Sequence, residues 1–262
     1  MKNICVITGA SSGIGREFFE QIAKSPEYKF DEIWVIARSA DRLAELQGLT
    51  ETPVRILPLD LSKESSYEGY ETALAEEKPR INLLVNCSGF GKFESTEKIG
   101  LASNLNMIDL NVKATVAMDM LSLHYMQKGD GIINIASVAA YQPIPYINTY
   151  GATKSFVLNF TRALGVEVKK RGIRVMAVCP FWTKTKFFDR AIKEDDDPVV
   201  KKYAVMYDPT EIAKRALKDY KKGRAVSIYG VVSKLQVLAV KLMPATVTMK
   251  VWMSQQKLNK RQ

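Results

Sequence analysis

The chain has 262 residues, 47% of them hydrophobic, and its 38 basic and 28 acidic residues give a net charge of +10. That is ample material for a single core, and no linker, low-complexity stretch or internal repeat divides it. One histidine, His124, and three widely spaced cysteines offer no metal-site spacing, so no metal is expected, and the basic excess comes without a nucleic-acid-binding motif.

The first predicted strand is the short, mostly apolar Lys2-Asn3-Ile4-Cys5-Val6-Ile7. It runs into Thr8-Gly9-Ala10-Ser11-Ser12-Gly13-Ile14-Gly15 and then into Arg16–Lys24, where Phe18, Phe19, Ile22 and Ala23 share a helical face. Strand, glycine turn and helix together are what a phosphate cradle requires. Glycine permits a tight turn and a close approach, and free N–H groups at the helix start favour negative charge. An ordinary glycine-rich turn carries the same local pattern.

Apolar runs at Ile33–Ala37, Val54–Leu59, Ile81–Asn86, Gly131–Ala136 and Ile173–Cys179 read as further parallel strands, with helical patterns between them, notably Asn104–Met126 and Thr149–Lys170. The alternation predicts an α/β fold: a Rossmann-type doubly wound parallel sheet in three α/β/α layers, as a single domain. Ligands then belong at the carboxyl ends of the strands, where the glycine turn, Arg38, Asp60, Asn86, Ser137 and Pro180 all fall. His124 sits in a helical pattern with Met120, Leu121 and Tyr125, which suits packing or a surface position. Cys5, Cys87 and Cys179 lie in strands or at their ends, an odd number far apart in sequence. With no basic and apolar leader ending in a cleavage site, they predict reduced thiols and a cytoplasmic location.

Tyr150 and Lys154 are four apart on a predicted helix and so share a face. A tyrosine near pKa 10 is a sluggish acid–base group, and a nearby ammonium is expected to lower that value and ease proton exchange. Ser137, at a strand end, carries a hydroxyl suited to polarising a carbonyl oxygen. Such pairs also occur as ordinary solvated neighbours, so their order along the chain matters.

That order, Gly-x-x-x-Gly-x-Gly after Thr8, then Asn86-Cys87-Ser88-Gly89, Ser137 and Tyr150-Gly-Ala-Thr-Lys154, resembles the short-chain dehydrogenase/reductase family from about residue 3 to about residue 185. The resemblance implies a dinucleotide held by Gly9, Ser11, Ser12, Gly13, Ile14 and Gly15. It implies adenine contacts from Asp60 and Leu61, a close backbone approach at Asn86 and Gly89, and ribose contacts from Tyr150 and Lys154. Asn111 matches the family's helix-interrupting asparagine, which supports a water linking Lys154 to solvent. Pro180 and Thr185 match the loop around the nicotinamide carboxamide, with Thr183 a further cofactor candidate between them and Phe181 in place of a glycine; Phe181 lacks that residue's access to positive φ. At the end of the second strand, alanine and then Arg38-Ser39 stand where an NAD-selecting member places an acid. A guanidinium matches a phosphate, so NADP(H) is preferred, with NAD(H) possible.

From Lys186 the pattern weakens. Lys193-Glu194-Asp195-Asp196-Asp197-Pro198 falls where family members carry a mobile substrate lid, and Asp208-Pro209-Thr210-Glu211 reads as a helix start, the helix ending at Gly223. Arg224–Tyr229 suits a last strand. Residues 1–230 then form the catalytic domain and 231–262 an apolar, basic helical extension packed on it. From Lys214 onward there are twelve basic residues and one acid, Asp219, and no apolar run long enough to span a bilayer. The extension suits peripheral membrane contact or entry of a greasy substrate; it equally suits packing on the core or on a twin subunit. The resemblance implies a ketone–alcohol oxidoreductase and a homo-oligomer. Phe90, Phe93, Phe181, Trp182, Phe187 and Phe188 suggest a lipophilic substrate such as a steroid or long-chain ketone. A non-catalytic, cofactor-binding regulator of the same fold is the competing class.

Overall fold

The computed structural model describes residues 1–191 and 198–258. Seven parallel strands form one sheet: β1 (Asn3–Thr8), β2 (Glu32–Ile36), β3 (Val54–Leu57), β4 (Arg80–Asn86), β5 (Gly131–Ile135), β6 (Arg174–Val178) and β7 (Val226–Ser227), in the order β3-β2-β1-β4-β5-β6-β7. The single α/β domain of the sequence reading is therefore present. The strand order reverses between β1 and β4, which pair with Thr8 opposite Asn86. A crevice at the carboxyl ends of these two strands follows from that reversal.

The helices are α1 (Gly13–Lys24), α2 (Ala40–Ala44), α3 (Ser65–Glu77), α4 (Thr96–Ile99), α5 (Leu101–Ile108), α6 (Ala114–Leu123), α7 (Asn148–Glu167), α8 (Phe187–Ala191), α9 (Pro209–Lys221), α10 (Val231–Leu242) and α11 (Ala245–Gln255). Strand side chains alternate between the two sheet faces. Cys5, Ile7, Val35, Val85 and Met176 pack under Phe18, Phe19 and Ile22 of α1 and Ile212, Ala216 and Leu217 of α9. Val6, Trp34, Leu84 and Ile132 pack under Tyr70 and Leu74 of α3, Met118 of α6 and Leu164 of α7. Phe18 and Phe19 are fully buried, each contributing about 1.5–3 kcal/mol by removal from water. The alternation fixes strand register, which in turn brings the functional strand ends to one edge.

Several boundaries differ from the sequence reading for physical reasons. The helix expected over Asn104–Met126 is two helices joined by a π-helical turn at Asp109–Lys113. The Asn111 side chain leaves the helix surface there to bond the backbone of Phe90. The last strand shrinks from Arg224–Tyr229 to two residues, paired on one side only to β6. Helix α9 starts as expected, with the Asp208 carboxylate accepting from the Thr210 N–H at 2.9 Å and Pro209 in the first turn. It closes at Lys222, followed by Gly223 at φ +68°. The proposed lid, 193–198, lies outside the described residues except for Pro198.

Candidate active site

The site starts from the glycine turn. Gly9 has φ +67°, and a Cβ there would lie 2.9 Å from the backbone of Cys87 and Ser88. The loops after β1 and β4 therefore touch backbone to backbone, which only a residue without a side chain allows. Thr8 locks the junction, its hydroxyl accepting from the N–H groups of Cys87 and Ser88 at 3.1 Å each. A Cβ on Gly15 would run into the Gly9 carbonyl, so helix α1 starts directly against the turn. Its opening N–H groups face a cavity of about 1300 Å³, which suits the phosphates of a dinucleotide.

Ser11, Ser12, Gly13 and Ile14 line the cavity with Gly9 and Gly15, and Arg38, Asp60, Leu61 and Gly89 line it further along. Arg38 is exposed at the rim with Arg42 beside it. Thr185 sits against Gly13, whose Cβ would meet the threonine methyl at 3.3 Å, so the 180–185 loop lies beside the glycine turn. Pro180, Thr183 and Thr185 all line the cavity. Phe181 avoids the expected strain: Lys78, Tyr146 and Lys257 are the only non-glycine residues with positive φ among the described residues.

Two more residues of the predicted set stand outside the cavity wall. The Asn86 side chain is buried beneath the cavity, donating to the Asp119 carboxylate at 2.7 Å and to the Asn134 carbonyl oxygen at 3.0 Å. Its neighbour in sequence, Gly89, reaches the cavity while Asn86 holds β4 to β5. Ser39 serves as the residue before α2 and does not line the cavity.

Ser137, Tyr150 and Lys154 converge on the same cavity. Ser137 follows β5, and its hydroxyl accepts from the Ala139 N–H at 3.1 Å and donates to the Pro180 carbonyl at 3.4 Å. Tyr150 and Lys154 project from the first turns of α7. The Lys154 ammonium donates to the Ile135 carbonyl at 2.8 Å. Asn111 lies behind them. Its amide donates to the Phe90 carbonyl and the Thr153 hydroxyl, and its carbonyl oxygen accepts from the Phe90 N–H at 3.0 Å. A Cβ on Gly89 would touch both Asn111 and Lys154, at 2.9 and 3.3 Å. Asn111 itself does not line the cavity but shapes the wall around Lys154.

Burial pushes the Tyr150 phenol up to about 12, with Cys179 adding to the rise and the Ser137 hydroxyl working against it. The ammonium stands 5.9 Å from the Tyr150 ring centroid and is turned to Ile135. Burial also lowers Lys154 to about 8. Desolvation is the largest influence on both groups, and Tyr150 holds its proton at neutral pH.

Beyond Tyr150 the cavity continues into an aromatic chamber. Phe93 packs at 6.0–6.4 Å between ring centroids against Trp182, Tyr150, Phe187 and Phe188. Trp182 in turn meets Tyr203 at 5.2 Å and Trp252 at 6.4 Å. Phe90 and Phe181 complete the lining. Tyr203 and Trp252 were not recognisable as site residues in the sequence. Trp252 is fixed by its indole N–H donating to the Pro145 carbonyl at 3.0 Å, a partner 107 positions away. Gly91 was also missed: a Cβ there would strike the Phe187, Tyr150 and Phe93 rings.

Comparisons with known proteins agree with this geometry. The short chain dehydrogenase family pattern matches residues 3–196. An uncharacterized oxidoreductase of Staphylococcus epidermidis is 30% identical over 68% of this chain and 77% of its own length. Mouse 17-beta-hydroxysteroid dehydrogenase type 3 is 30% identical over 75% of this chain and 66% of its own. A short-chain dehydrogenase from Sphingobium yanoikuyae, solved in complex with NADPH, superposes with a TM-score of 0.76 at 27% identity, covering 90% of this chain and 92% of that one. The chain belongs to the short-chain dehydrogenase/reductase family and is an NAD(P)-dependent oxidoreductase of the class that interconverts CH–OH and C=O groups.

Proposed function

We propose that the protein reduces a bulky, lipophilic ketone, of steroid or long-chain type, to a secondary alcohol with NADPH. The observation that carries this reading is one continuous cavity. It joins the glycine turn to Ser137, Tyr150 and Lys154, and then to a chamber walled by Phe93, Trp182, Phe187, Phe188, Tyr203 and Trp252. Residues 1–230 hold the cofactor and the reacting groups, and Leu235, Val240, Val251 and Trp252 of α10 and α11 close the chamber.

The cradle fits a dinucleotide, since Gly9 and Gly15 leave no room for side chains where the backbone packs closest. The glycine turn would hold the pyrophosphate, Asp60 and Leu61 the adenine, Thr183 and Thr185 the carboxamide end, and Lys154 the ribose. NADPH supplies a hydride when bound. Arg38, without a carboxylate at Ala37, favours the 2′-phosphate, in keeping with the NADPH carried by the Sphingobium relative.

The remaining work falls to the chain's own groups. Ser137 donates to the substrate oxygen and polarises the carbonyl. Tyr150, kept protonated by burial, passes its proton to that oxygen as negative charge develops there. Protonated phenol is the form that reduction needs. Lys154 and Asn111 flank the path by which the proton returns. The steroid activity named for the mouse relative supports the substrate class. A homo-oligomer is in keeping with the exposed apolar side chains of Leu105 and Ile108 on α5 and Phe156 on α7.

NADPH oxidation against a graded panel from small aliphatic ketones to ketosteroids tests the proposal. It predicts kcat/KM rising with apolar bulk, and higher with NADPH than with NADH. Turnover independent of bulk would overturn the substrate class, and tight NADPH binding with no turnover of any ketone would favour the regulator reading.

A further inference from the structure

We propose that the outward face of α10 docks on an anionic lipid bilayer and that the chamber receives its substrate from that surface. Val231, Leu235, Leu238 and Leu242 are 71%, 60%, 55% and 77% exposed. With Val232 they fall within about 120° of helix surface at 3.6 residues per turn. Ser233 and Val237, on the opposite side, are buried and seat the helix on the domain. Four large aliphatic side chains on one solvent-facing stripe are more than a folded surface ordinarily leaves uncovered.

The charge around the stripe selects its occupant. Lys234 and Lys241 border it on one side, Lys250 projects from the following helix, and no acidic residue follows Asp219 in the sequence. A second copy seated on this face would bring lysine against lysine with no carboxylate to pair. Apolar side chains bordered by Lys234 and by Lys241, the latter over the Tyr141 ring at 5.3 Å, instead match the acyl boundary and phosphate groups of an anionic leaflet. Helix α10 has 12 residues, about 18 Å long, so it lies on the bilayer, and no described helix is long and apolar enough to cross one.

The stripe also runs into the cavity. Val232 and Leu235 are exposed and line the chamber at once, as do Ala239, also exposed, and the half-buried Met243. A greasy ketone leaving the leaflet would meet aliphatic side chains continuously until it reaches Trp252 and Trp182. The entry role rests on the reductase reading; the docking does not.

Co-sedimentation of the full chain with phosphatidylcholine vesicles, with and without phosphatidylglycerol, tests the docking. The wild type is expected to bind the mixed vesicles, less so as salt rises. The double variant Leu238→Ser/Leu242→Ser, whose side chains do not line the cavity, is expected to lose at least about tenfold in binding. It should keep wild-type turnover of a water-soluble ketone and lose turnover of a ketone presented in vesicles. Absent vesicle binding, or equal binding with and without phosphatidylglycerol, overturns the docking. So does a wild-type dimer in sedimentation velocity that the double variant dissociates, which would make the face a contact between copies. Equal losses on both ketones overturn the entry role alone. Vesicle binding with no turnover of either ketone would leave the docking standing and reject the reductase reading.

Discussion

The dinucleotide end of the cavity and the aromatic chamber are built in opposite ways. The first is made of backbone: Gly9 against Cys87 and Ser88, Gly15 against Gly9, and Thr8 clasping the β4 loop. The second is made of side chains drawn from the β4 loop, the 180–188 segment, Tyr203 and α11. A backbone cradle tolerates almost no substitution and binds a ligand whose shape never varies. A side-chain chamber can be resized one residue at a time, so substrate choice can change while the cofactor end stays fixed.

Substitutions at the two ends should therefore separate. Gly9→Ala places a Cβ at 2.9 Å from two backbone atoms and at φ +67°. A cost of about 3–5 kcal/mol in stability is expected from crowding and backbone strain, seen as a large drop in Tm with cofactor binding lost for every substrate alike. At the chamber end, Trp252→Ala removes a buried indole and its bond to Pro145. It should lose about 3 kcal/mol of stability and most of the kcat/KM for bulky ketones, while NADPH affinity, measured by fluorescence titration, holds.

Between the two ends lies a buried polar link, and it should respond to pH. The Asp119 carboxyl accepts from Asn86 and Asn134, at 2.7 Å each, and burial raises it from 3.8 to about 7. The folded protein then binds a proton more tightly than the unfolded chain. This stabilisation is complete below about pH 4 and is lost as pH rises through about 7, by about 2–4 kcal/mol. Chemical unfolding across that range should show the fall, and Asp119→Asn should flatten it. The smallest effect is expected at the rim, where Arg38→Ala should weaken NADPH by about ten- to hundredfold and leave NADH unchanged, sharpening the cofactor end without touching the chamber.

The same division explains what could be read from the chain. The glycine turn and Ser137 stand at strand ends that follow from strand periodicity, Tyr150 and Lys154 share a helix face and are marked by their order along the chain, and all of them line the cavity. Asn86 stands beside the cofactor loop in sequence, and its side chain points down into the Asp119 and Asn134 network. Nothing in sequence spacing reports that direction. Sharing a helix face with Tyr150 likewise does not reveal that the Lys154 ammonium donates to the Ile135 carbonyl. Tyr203 and Trp252 meet Trp182 only through tertiary packing, and their separation in sequence left no signal.

The central claim, that Tyr150 delivers the proton in a carbonyl reduction, is met most directly by comparing wild type with Tyr150→Phe in NADPH oxidation on a bulky ketone, with NADPH affinity measured alongside. The expected result is a loss of about 10²–10⁴ in kcat at unchanged cofactor affinity. Turnover within a fewfold of wild type would contradict it and move the proton donor to another group.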